Sequence, residues 1–363
     1  MRFNPRSEAS WDLRGASLQA RNADAKGARR EPLEIAFVNN MPDLAAIATQ
    51  AQFNRLVRSA LGEAPFNFRC YLSPRVPRSE AMRRQLRQTH DDLDALFARG
   101  ADALIVTGAE PRAALLTDEP YWFDLAHLVD WAREHTATSL WSCLAAHAAV
   151  QHLDGIMRRR AAEKFSGVYA FEKACDDWLM QGEGAAIVTP HSRYNGLARS
   201  ELEQSGYHVS SWSEAVGVNI FWRREPSRFV FVQGHPEYDA QTLLREYRRD
   251  AIRFLAGERE SFPRVPENYF SARTEARLEG LKASASARGR NESEEALDAI
   301  LADEIPAFGW AADAARLYRD WLSPLLRQKR LSASQSGGIR TGLMPGPAAA
   351  ADSALSGAVG LKA

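Results

Sequence analysis

The chain has 363 residues, of which 45% are hydrophobic, so it can bury one large core and nothing forces a split into independent domains. Lysine plus arginine and aspartate plus glutamate number 46 each, and this balance argues against binding to nucleic acid or to an anionic membrane surface. The three cysteines have neither metal-site nor disulfide spacing, which predicts a metal-free protein of a reducing compartment. The apolar runs are too short to span a membrane and no signal segment is recognised, so we expect a soluble protein of the cytoplasm.

The two ends of the chain differ in composition from the middle. Residues 1–32 are basic and lack a hydrophobic period, and residues 331–363 are rich in Ser, Gly and Ala. Neither composition buries enough apolar surface to offset the entropy lost on ordering, so we predict a disordered basic arm and a disordered tail. Residues 33–330 then form a single folded domain.

Four short runs are apolar on both faces, as expected for strands that helices cover on both sides. They are Leu33–Asn40, Ala101–Ala109, Thr138–Cys143 and Phe229–Gly234. Helical apolar spacing follows the first run, from Phe53 to Leu61, and the fourth run, from Leu243 to Leu255. Asp239 is the expected N-cap of the second of these helices. This alternation predicts an α/β fold with a doubly wound, mainly parallel sheet and helices on both faces.

Two later segments complete the predicted fold. Gly206–Glu214 and Val216–Arg223 indicate an antiparallel pair of strands, which we place at the edge of the sheet. The region 305–328 carries apolar residues in helical phase and predicts a late amphipathic helix. In a doubly wound sheet ligands bind beyond the carboxyl ends of the strands, so the chemistry is expected where strands run into loops.

Cys143 stands at such a strand end. It closes the apolar run from Thr138 and begins the small-residue run CLAAHAAV, which places it at a tight turn into a helix. The amino end of a helix stabilises a thiolate, and its free amides can hold the oxyanion of a tetrahedral intermediate. By position alone, an inert buried thiol is an equally good interpretation.

The segment GHPEYD, which follows another predicted strand, favours the catalytic interpretation. It places His235 and Glu237 at a strand exit, where a carboxylate two residues from a histidine can fix its tautomer and stabilise the imidazolium. An isolated His-x-Glu is more often a polar loop. A cysteine and a His-x-Glu pair at two strand exits, however, form a minimal thiol triad.

The sequence resembles the homoserine O-acyltransferases of the MetA family from about residue 33 to residue 328. The motifs that carry the resemblance are spread along the chain: Asn39–Pro42, Gln52–Leu56, Ile105–Ala109, Tyr121–Trp122, Glu163–Tyr169, Pro190–Tyr194 and Gly234–Asp239. The resemblance implies a flavodoxin-like core, akin to that of class I glutamine amidotransferases, and it suggests a homodimer.

The resemblance also assigns roles to individual residues. Cys143 is expected to carry an acyl group as a thioester, with His235 as the general base and Glu237 orienting it. The substrate-binding positions of the family are matched by Lys164, Ser192 and Arg249. The implied reaction transfers an acyl group from acyl-CoA to the hydroxyl of L-homoserine in methionine biosynthesis, with acyl-CoA as a co-substrate and no further cofactor.

Two departures from the family pattern concern the expected acyl pocket. Asp43 and Leu44 replace the lysine pair that usually follows Met-Pro, so we expect an oxyanion site built from the backbone amides of Leu44 and Leu144. Arg112 occupies the position associated with acyl choice, where glycine suggests succinyl and glutamate suggests acetyl. A guanidinium can pair bidentately with the distal carboxylate of a succinyl group unless Glu110 neutralises it, so a succinyl donor is favoured.

Three alternatives stay open. One is acetyl-CoA as the donor, or serine as the acceptor, since serine and homoserine differ by one methylene, worth about 1–3 kcal/mol of discrimination. A glutamine amidotransferase or related hydrolase would use the same triad, but those enzymes flank the nucleophile with glycines, whereas Ser142 and Leu144 flank Cys143 here. A non-catalytic protein on this fold is disfavoured because all three triad residues are present.

Overall fold

The computed structural model describes residues 31–338, except 175–176, 183, 225, 286–288, 305 and 307. Most of the predicted disordered arm and tail, residues 1–30 and 339–363, lies outside the described residues, and so does Cys175. The strands are β1 (Leu33–Asn39), β2 (Phe66–Leu72), β3 (His90–Asp92), β4 (Ala103–Val106), β5 (Thr138–Ser142), β6 (Arg159–Lys173), β7 (Ala186–Gly196), β8 (His208–Ser213), β9 (Gly217–Arg224) and β10 (Arg228–Val232).

The helices alternate with the strands in the first half of the chain and dominate its end. They are α1 (Ala46–Leu61), α2 (Glu80–Leu86), α3 (Leu93–Arg99), α4 (Trp122–His135), α5 (Leu144–Asp154), α6 (Arg199–Gln204), α7 (Thr242–Leu255), α8 (Ala272–Ser284), α9 (Arg290–Ala302) and α10 (Ala311–Gly338), with a 3-10 turn at Leu116–Asp118. None of the helices within the described part of the chain is long and apolar enough to cross a membrane.

All ten strands form one sheet in the order β3-β2-β1-β4-β5-β10-β9-β8-β6-β7. The pairings from β3 to β10 are parallel, and the pairings from β10 to β7 are antiparallel. The order β2-β1-β4-β5-β10 is that of a flavodoxin-like sheet, whose connections change direction between β1 and β4. The predicted α/β fold with a doubly wound, mainly parallel sheet is confirmed.

Helices cover the parallel strands on both faces, which explains why those strands are apolar on both faces. Along β1, Ile35 and Phe37 pack with α1 and α10, whereas Ala36 and Val38 pack with α3, α4 and α5 on the other side. Helices α7, α8 and α9 bury a separate apolar cluster around Tyr247. The continuous hydrophobic runs therefore follow from the two covering layers.

The predicted position of the antiparallel pair is wrong. Strands β8 and β9 do pair antiparallel, but β9 pairs with β10 and β8 pairs with β6, so the pair lies inside the sheet. The edge is formed by the long hairpin of β6 and β7, which the sequence prediction lacks. Pro190 within β7 is the physical reason, since proline is found in edge strands and makes a strand hard to recognise from sequence.

Two helix boundaries also differ from the prediction. Asp239 is not the N-cap of α7, because the helix begins after Gln241, but the Asp239 carboxylate accepts a hydrogen bond from the Gln241 amide at 3.0 Å. Helix α10 begins at Ala311 rather than at residue 305, and it continues to Gly338, past the predicted start of the tail at residue 331. The predicted apolar stripe from Trp310 to Leu325 is buried.

Candidate active site

Cys143 forms the turn between β5 and α5. Its φ of 50° lies in the left-handed region, which is strained for a residue with a side chain, and its amide donates to the Val232 carbonyl of β10 at 2.7 Å. The side chain is partly accessible, unlike that of Cys70, which is buried and whose thiol pKa is raised to about 12 by burial. A strained, accessible cysteine at a strand end has the geometry of a nucleophile elbow.

Gly108 allows the chain after β4 to pack against the start of α5. A Cβ at this position would lie 3.1 Å from the Leu144 amide nitrogen and 3.1 Å from its Cβ. Leu144 is the first residue of α5, so its amide has no acceptor within the helix and is free for an oxyanion. Leu44 lies in the turn between β1 and α1 with 81% of its side chain exposed, and the oxyanion role of both amides stays a prediction.

His235 and Glu237 form a buried hydrogen-bonded pair just beyond β10. The distance from His235 Nδ1 to Glu237 Oε1 is 2.8 Å, and the His235 amide donates to the Pro190 carbonyl of β7 at 2.8 Å. The imidazole also stacks on the Tyr238 ring at a centroid distance of 4.4 Å. These contacts fix the ring and its tautomer, which leaves Nε2 for Cys143 and the substrate.

The charge state of His235 is set by its two acidic neighbours. Burial lowers its pKa, but the Glu237 carboxylate, the negative charge of a Cys143 thiolate and hydrogen bonds with both residues together hold it well above 6.5. The raised pKa favours the protonated ring of His235 next to the Cys143 sulfur. A cation at this position in turn favours a thiolate, the reactive form of cysteine.

Buried polar side chains connect the helix that follows Cys143 to the end of β10. His147, one turn after Cys143, lies 2.9 Å from Gln233 Oε1 through its Nε2, and the Gln233 amide group donates to the Val218 carbonyl at 2.6 Å. Burial lowers the pKa of His147 to about 3, so its ring is neutral. His147 links α5 to the end of β10 without adding a charge.

Arg193 is a buried cation whose hydrogen-bond partners are all neutral. Only 4% of the residue is exposed, and the guanidinium donates to His191 Nδ1 at 3.0 Å, to the Asn195 carbonyl at 2.7 Å and to the Val216 carbonyl at 2.7 Å. No carboxylate forms an ion pair with it among the described residues. Burial lowers its pKa to about 10, and the negative charge of Cys143 acts against this shift. Arg193 therefore favours the thiolate.

The predicted substrate-binding cations Lys164 and Arg249 meet on one carboxylate, Asp250. Lys164 Nζ lies 3.3 Å from Asp250 Oδ2, Arg249 Nε lies 2.8 Å from Oδ1, and Arg259 Nη1 lies 3.3 Å from Oδ2. Burial would raise the pKa of Asp250, but the charges of Lys164 and Arg249 lower it. Three cations on one carboxylate leave an excess of positive charge that suits an anionic substrate group.

The two cations face different cavities on either side of Asp250. Lys164 lines a cavity of about 670 Å³ together with Ser166 and Tyr194, whereas Arg249 lines a cavity of about 400 Å³. Ser192 pairs with Ser166 across β6 and β7, so its side chain is on the same face as that of Ser166. The structure thus brings Ser192 and Lys164 to one face of the hairpin, but of the three predicted substrate-binding residues only Lys164 lines the cavity of about 670 Å³.

Arg112 lies in the same cavity of about 400 Å³ as Arg249 and Leu44. Its backbone amide donates to Glu119 Oε1 at 2.5 Å, which fixes the loop after β4. Glu110 does not neutralise Arg112, because its carboxylate lies 3.9 Å from Arg253 Nη1 instead. Arg112 therefore does not form the ion pair with Glu110 that the sequence allowed.

Two residues of the site were missed from sequence, and both carried weak signals. Arg193 belongs to the PHSRY motif, and the alternation of β7 points it away from Ser192, but the strand itself was not recognised. Asp250 directly follows Arg249, and nothing in the local pattern distinguishes it from a surface carboxylate. Among the described residues, no group of three or more His, Cys, Asp or Glu side chains is arranged to hold a metal ion.

Comparison with known proteins supplies the family. The family model described as homoserine O-succinyltransferase matches residues 14–330, so it includes residues 14–32, which the sequence prediction left outside the resemblance. The homoserine O-succinyltransferase of Bradyrhizobium japonicum is 48% identical over 317 residues, covering 84% of this chain and 94% of the relative. The enzymes of that name from Rhodopseudomonas palustris and Methylorubrum extorquens are 46% and 43% identical, covering 84% and 83% of this chain and 91% and 89% of the relatives. The chain therefore belongs to the homoserine O-succinyltransferase family.

Proposed function

We propose that this protein transfers a succinyl group from succinyl-CoA to the hydroxyl of L-homoserine, through a thioester on Cys143, as a step of methionine biosynthesis. Membership of the family supports the reaction. The observation that carries the mechanism is the buried His235–Glu237 hydrogen bond beside a strained cysteine at the start of a helix. The reaction is placed in the cytoplasm and needs no cofactor beyond the acyl-CoA co-substrate.

The first half-reaction acylates the enzyme. The Cys143 thiolate attacks the thioester carbon of succinyl-CoA, and the resulting oxyanion accepts hydrogen bonds from backbone amides, with Leu144 in the first position of α5 as one donor. The intermediate collapses with cleavage of the bond to the CoA sulfur. The His235 imidazolium gives its proton to the departing CoA thiolate, which leaves a neutral imidazole.

The second half-reaction transfers the acyl group. Neutral His235 takes the proton from the homoserine hydroxyl as the oxygen attacks the thioester on Cys143. This proton transfer restores the imidazolium, and collapse of the second intermediate then breaks the bond to sulfur and expels the Cys143 thiolate. Glu237 stabilises the imidazolium at the start and at the end of the cycle, and its buried position strengthens that interaction.

Charged side chains account for the choice of substrates. The excess positive charge around Asp250 suits the α-carboxylate of the amino-acid acceptor, with Lys164 as its contact and Ser192 as a hydrogen-bond donor, while Arg249 acts through Asp250 from the neighbouring cavity. Arg112, which Glu110 leaves free, suits the distal carboxylate of the succinyl group. An acetyl group offers Arg112 nothing. We also propose a homodimer, on the strength of the family resemblance alone.

The test is a rate comparison of two donors and two acceptors. Purified protein is given succinyl-CoA or acetyl-CoA with L-homoserine or L-serine, and CoA release is followed together with the acylated product. We expect succinyl-CoA with homoserine to be the fastest pair, Cys143→Ala to be inactive and the matched variant Cys70→Ala to keep activity. Faster turnover of acetyl-CoA would contradict the role of Arg112. Activity in Cys143→Ala would contradict the thioester mechanism.

A further inference from the structure

The cavity of about 400 Å³ lies at the carboxyl edge of the sheet, where its connections change direction. Its walls come from the segments that follow three strands and from one helix. These are Pro42–Ala45 after β1, Pro77–Ser79 and Arg83 after β2, Glu110 and Arg112 after β4, and Arg249 and Arg253 on α7. Sheets of this topology bind their ligands in the crevice at this point. The proposed transfer reaction uses Arg112 and Arg249. It gives no role to the residues on the β2 side of the cavity.

The cavity is strongly cationic. Its walls carry Arg78, Arg83, Arg112, Arg249 and Arg253, against the carboxylates of Asp43 and Glu110. Asp43, which stands where the family usually has lysine, is held by the Ser79 amide at 3.1 Å. The excess of positive charge is larger than the single carboxylate of a succinyl group can neutralise.

Two of these arginines are already engaged elsewhere. Arg78 donates to the carbonyls of Asn39 at 2.6 Å and Met41 at 3.2 Å, and therefore fixes the chain after β1. Arg249 is bonded to Asp250. Arg83 and Arg112 form no ion pair within the described residues, and Arg83 donates through Nε to the Arg78 carbonyl. Arg253 forms a long ion pair with Glu110 at 3.9 Å.

The two ends of the donor carry different anions. Arg83 lies on the helix after β2, which is three strands away from β5 in the order β2-β1-β4-β5, and Cys143 follows β5. At 4.7–4.9 Å between neighbouring strands, β2 and β5 are roughly 14 Å apart. The distal carboxylate of a succinyl group is only three carbon–carbon bonds from the thioester carbon, whereas the phosphates lie at the other end of the donor.

We propose that Arg83 and Arg253 bind the phosphate groups of the acyl-CoA donor in this cavity. The proposal rests on the proposed function for the identity of the donor. Guanidinium groups bind phosphate bidentately, and a ligand with several negative charges matches the surplus of arginines. In this arrangement the pantetheine arm runs along the edge of the sheet from the β2 side toward Cys143, and Arg112 is left for the acyl group.

The experiment compares donors with and without phosphates. We assay Arg83→Gln with succinyl-CoA and with succinyl-pantetheine. The matched control is Arg84→Gln, which removes the same charge from an exposed position on α2 outside the cavity. We expect Arg83→Gln to raise the KM for succinyl-CoA about tenfold, since a charge-assisted contact is lost, and to leave succinyl-pantetheine kinetics unchanged. Arg253→Gln should show the same selectivity, and Arg84→Gln should match the unmodified chain.

The other outcomes are decisive as well. Equal losses with both donors would overturn the proposal, because the arginines would then act on the acyl end or on folding. No change with either donor in both Arg83→Gln and Arg253→Gln would also overturn it. Calorimetric titration of Cys143→Ala with CoA and with pantetheine tests the cavity without turnover. If the unmodified chain transfers succinyl from neither donor but Arg83→Gln weakens CoA binding about tenfold, the proposed function fails and the phosphate site stands.

Discussion

The pKa of His235 is held well above 6.5 because two negative groups, Glu237 and the Cys143 thiolate, outweigh the effect of burial. The Cys143 sulfur therefore interacts with the His235 ring and with a second buried cation, Arg193, whose hydrogen bonds all go to neutral atoms. A buried charge without a charged partner is costly, so its retention beside the thiol indicates a role in the chemistry.

Removing the charge of Arg193 should slow the reaction of Cys143 with an alkylating reagent. In Arg193→Met we expect alkylation of Cys143 by iodoacetamide at neutral pH to be about tenfold slower, because a negatively charged sulfur loses a stabilising cation. Arg193→Lys, which keeps a charge, should restore most of the reactivity at neutral pH. Circular dichroism controls for folding. An unchanged alkylation rate in a folded Arg193→Met protein would show that the role is structural.

Asp250 holds Lys164 and Arg249, the cations that we propose bind the acceptor, so its loss should affect the acceptor more than the donor. In Asp250→Asn we expect the KM for homoserine to rise about tenfold, because Lys164 and Arg249 lose their shared anchor and repel each other. The rate of CoA release in the first turnover should change little. Asp298→Asn, which removes an exposed partner of Arg248, is the matched control. A slower first turnover with an unchanged homoserine KM would contradict this assignment.

At the level of elements, the strand-to-turn connections place the site. Gly108 after β4, Cys143 after β5 and His235 after β10 come from neighbouring parallel strands, and the hairpin of β6 and β7 reaches back through Pro190 to the His235 amide. The close packing of Gly108 on Leu144 keeps the start of α5 and its free amides next to the loop that carries Arg112.

A side chain at Gly108 should disturb this packing. The Cβ in Gly108→Ala would meet the backbone of Leu144 at 3.1 Å, so we expect a loss of about 1–3 kcal/mol in the free energy of unfolding and reduced acylation of Cys143. Gly280→Ala is the matched control, since nothing lies within 4 Å of that Cβ in α8. There we expect a gain of about 0.5–1 kcal/mol. Urea unfolding measures both, and equal effects at the two glycines would contradict the packing argument.

The sequence predicted the four central parallel strands and the pair β8 and β9, but it missed β2, β3, β6 and β7. The runs that became β1, β4, β5 and β10 are buried on both faces and therefore read as continuous apolar segments. The first half of β6 is exposed or half-buried and β7 contains Pro190, so neither has a clear pattern. Arg193 and the cavity on the β2 side depend on contacts between distant segments, which local spacing does not encode.

At the level of the whole molecule, buried neutral histidines set the response to acid. Burial lowers the pKa of His90 to about 4 and of His147 to about 3, and burial together with Arg193 lowers that of His191 well below its usual value. Between these values and 6.5 the unfolded chain binds more protons than the folded chain, so stability falls as the pH falls. His235 has the opposite sign, because its raised pKa adds stability below 6.5 that is lost at higher pH.

We therefore expect the free energy of unfolding to be lower at pH 5 than at pH 7. Each of the three buried histidines contributes at most about 1.4 kcal/mol per pH unit below 6.5, while His235 is protonated in both states there. Urea unfolding at the two pH values measures the change. His147→Gln should reduce the pH dependence by about one third, since one of three equal contributions is removed. Equal stability at pH 5 and pH 7 would contradict the assignment of neutral histidines.

The central claim is that Cys143 carries the acyl group, and a trapped intermediate tests it most directly. The protein is mixed with succinyl-CoA in the absence of homoserine, quenched in acid, and measured by intact mass and peptide mapping, with Cys143→Ala and Cys70→Ala alongside. The account predicts one succinyl group on the Cys143 peptide of the unmodified and Cys70→Ala proteins, none on Cys143→Ala, and its loss when homoserine is added. Succinyl transfer to homoserine without any adduct on Cys143, or an adduct that homoserine does not discharge, would contradict it.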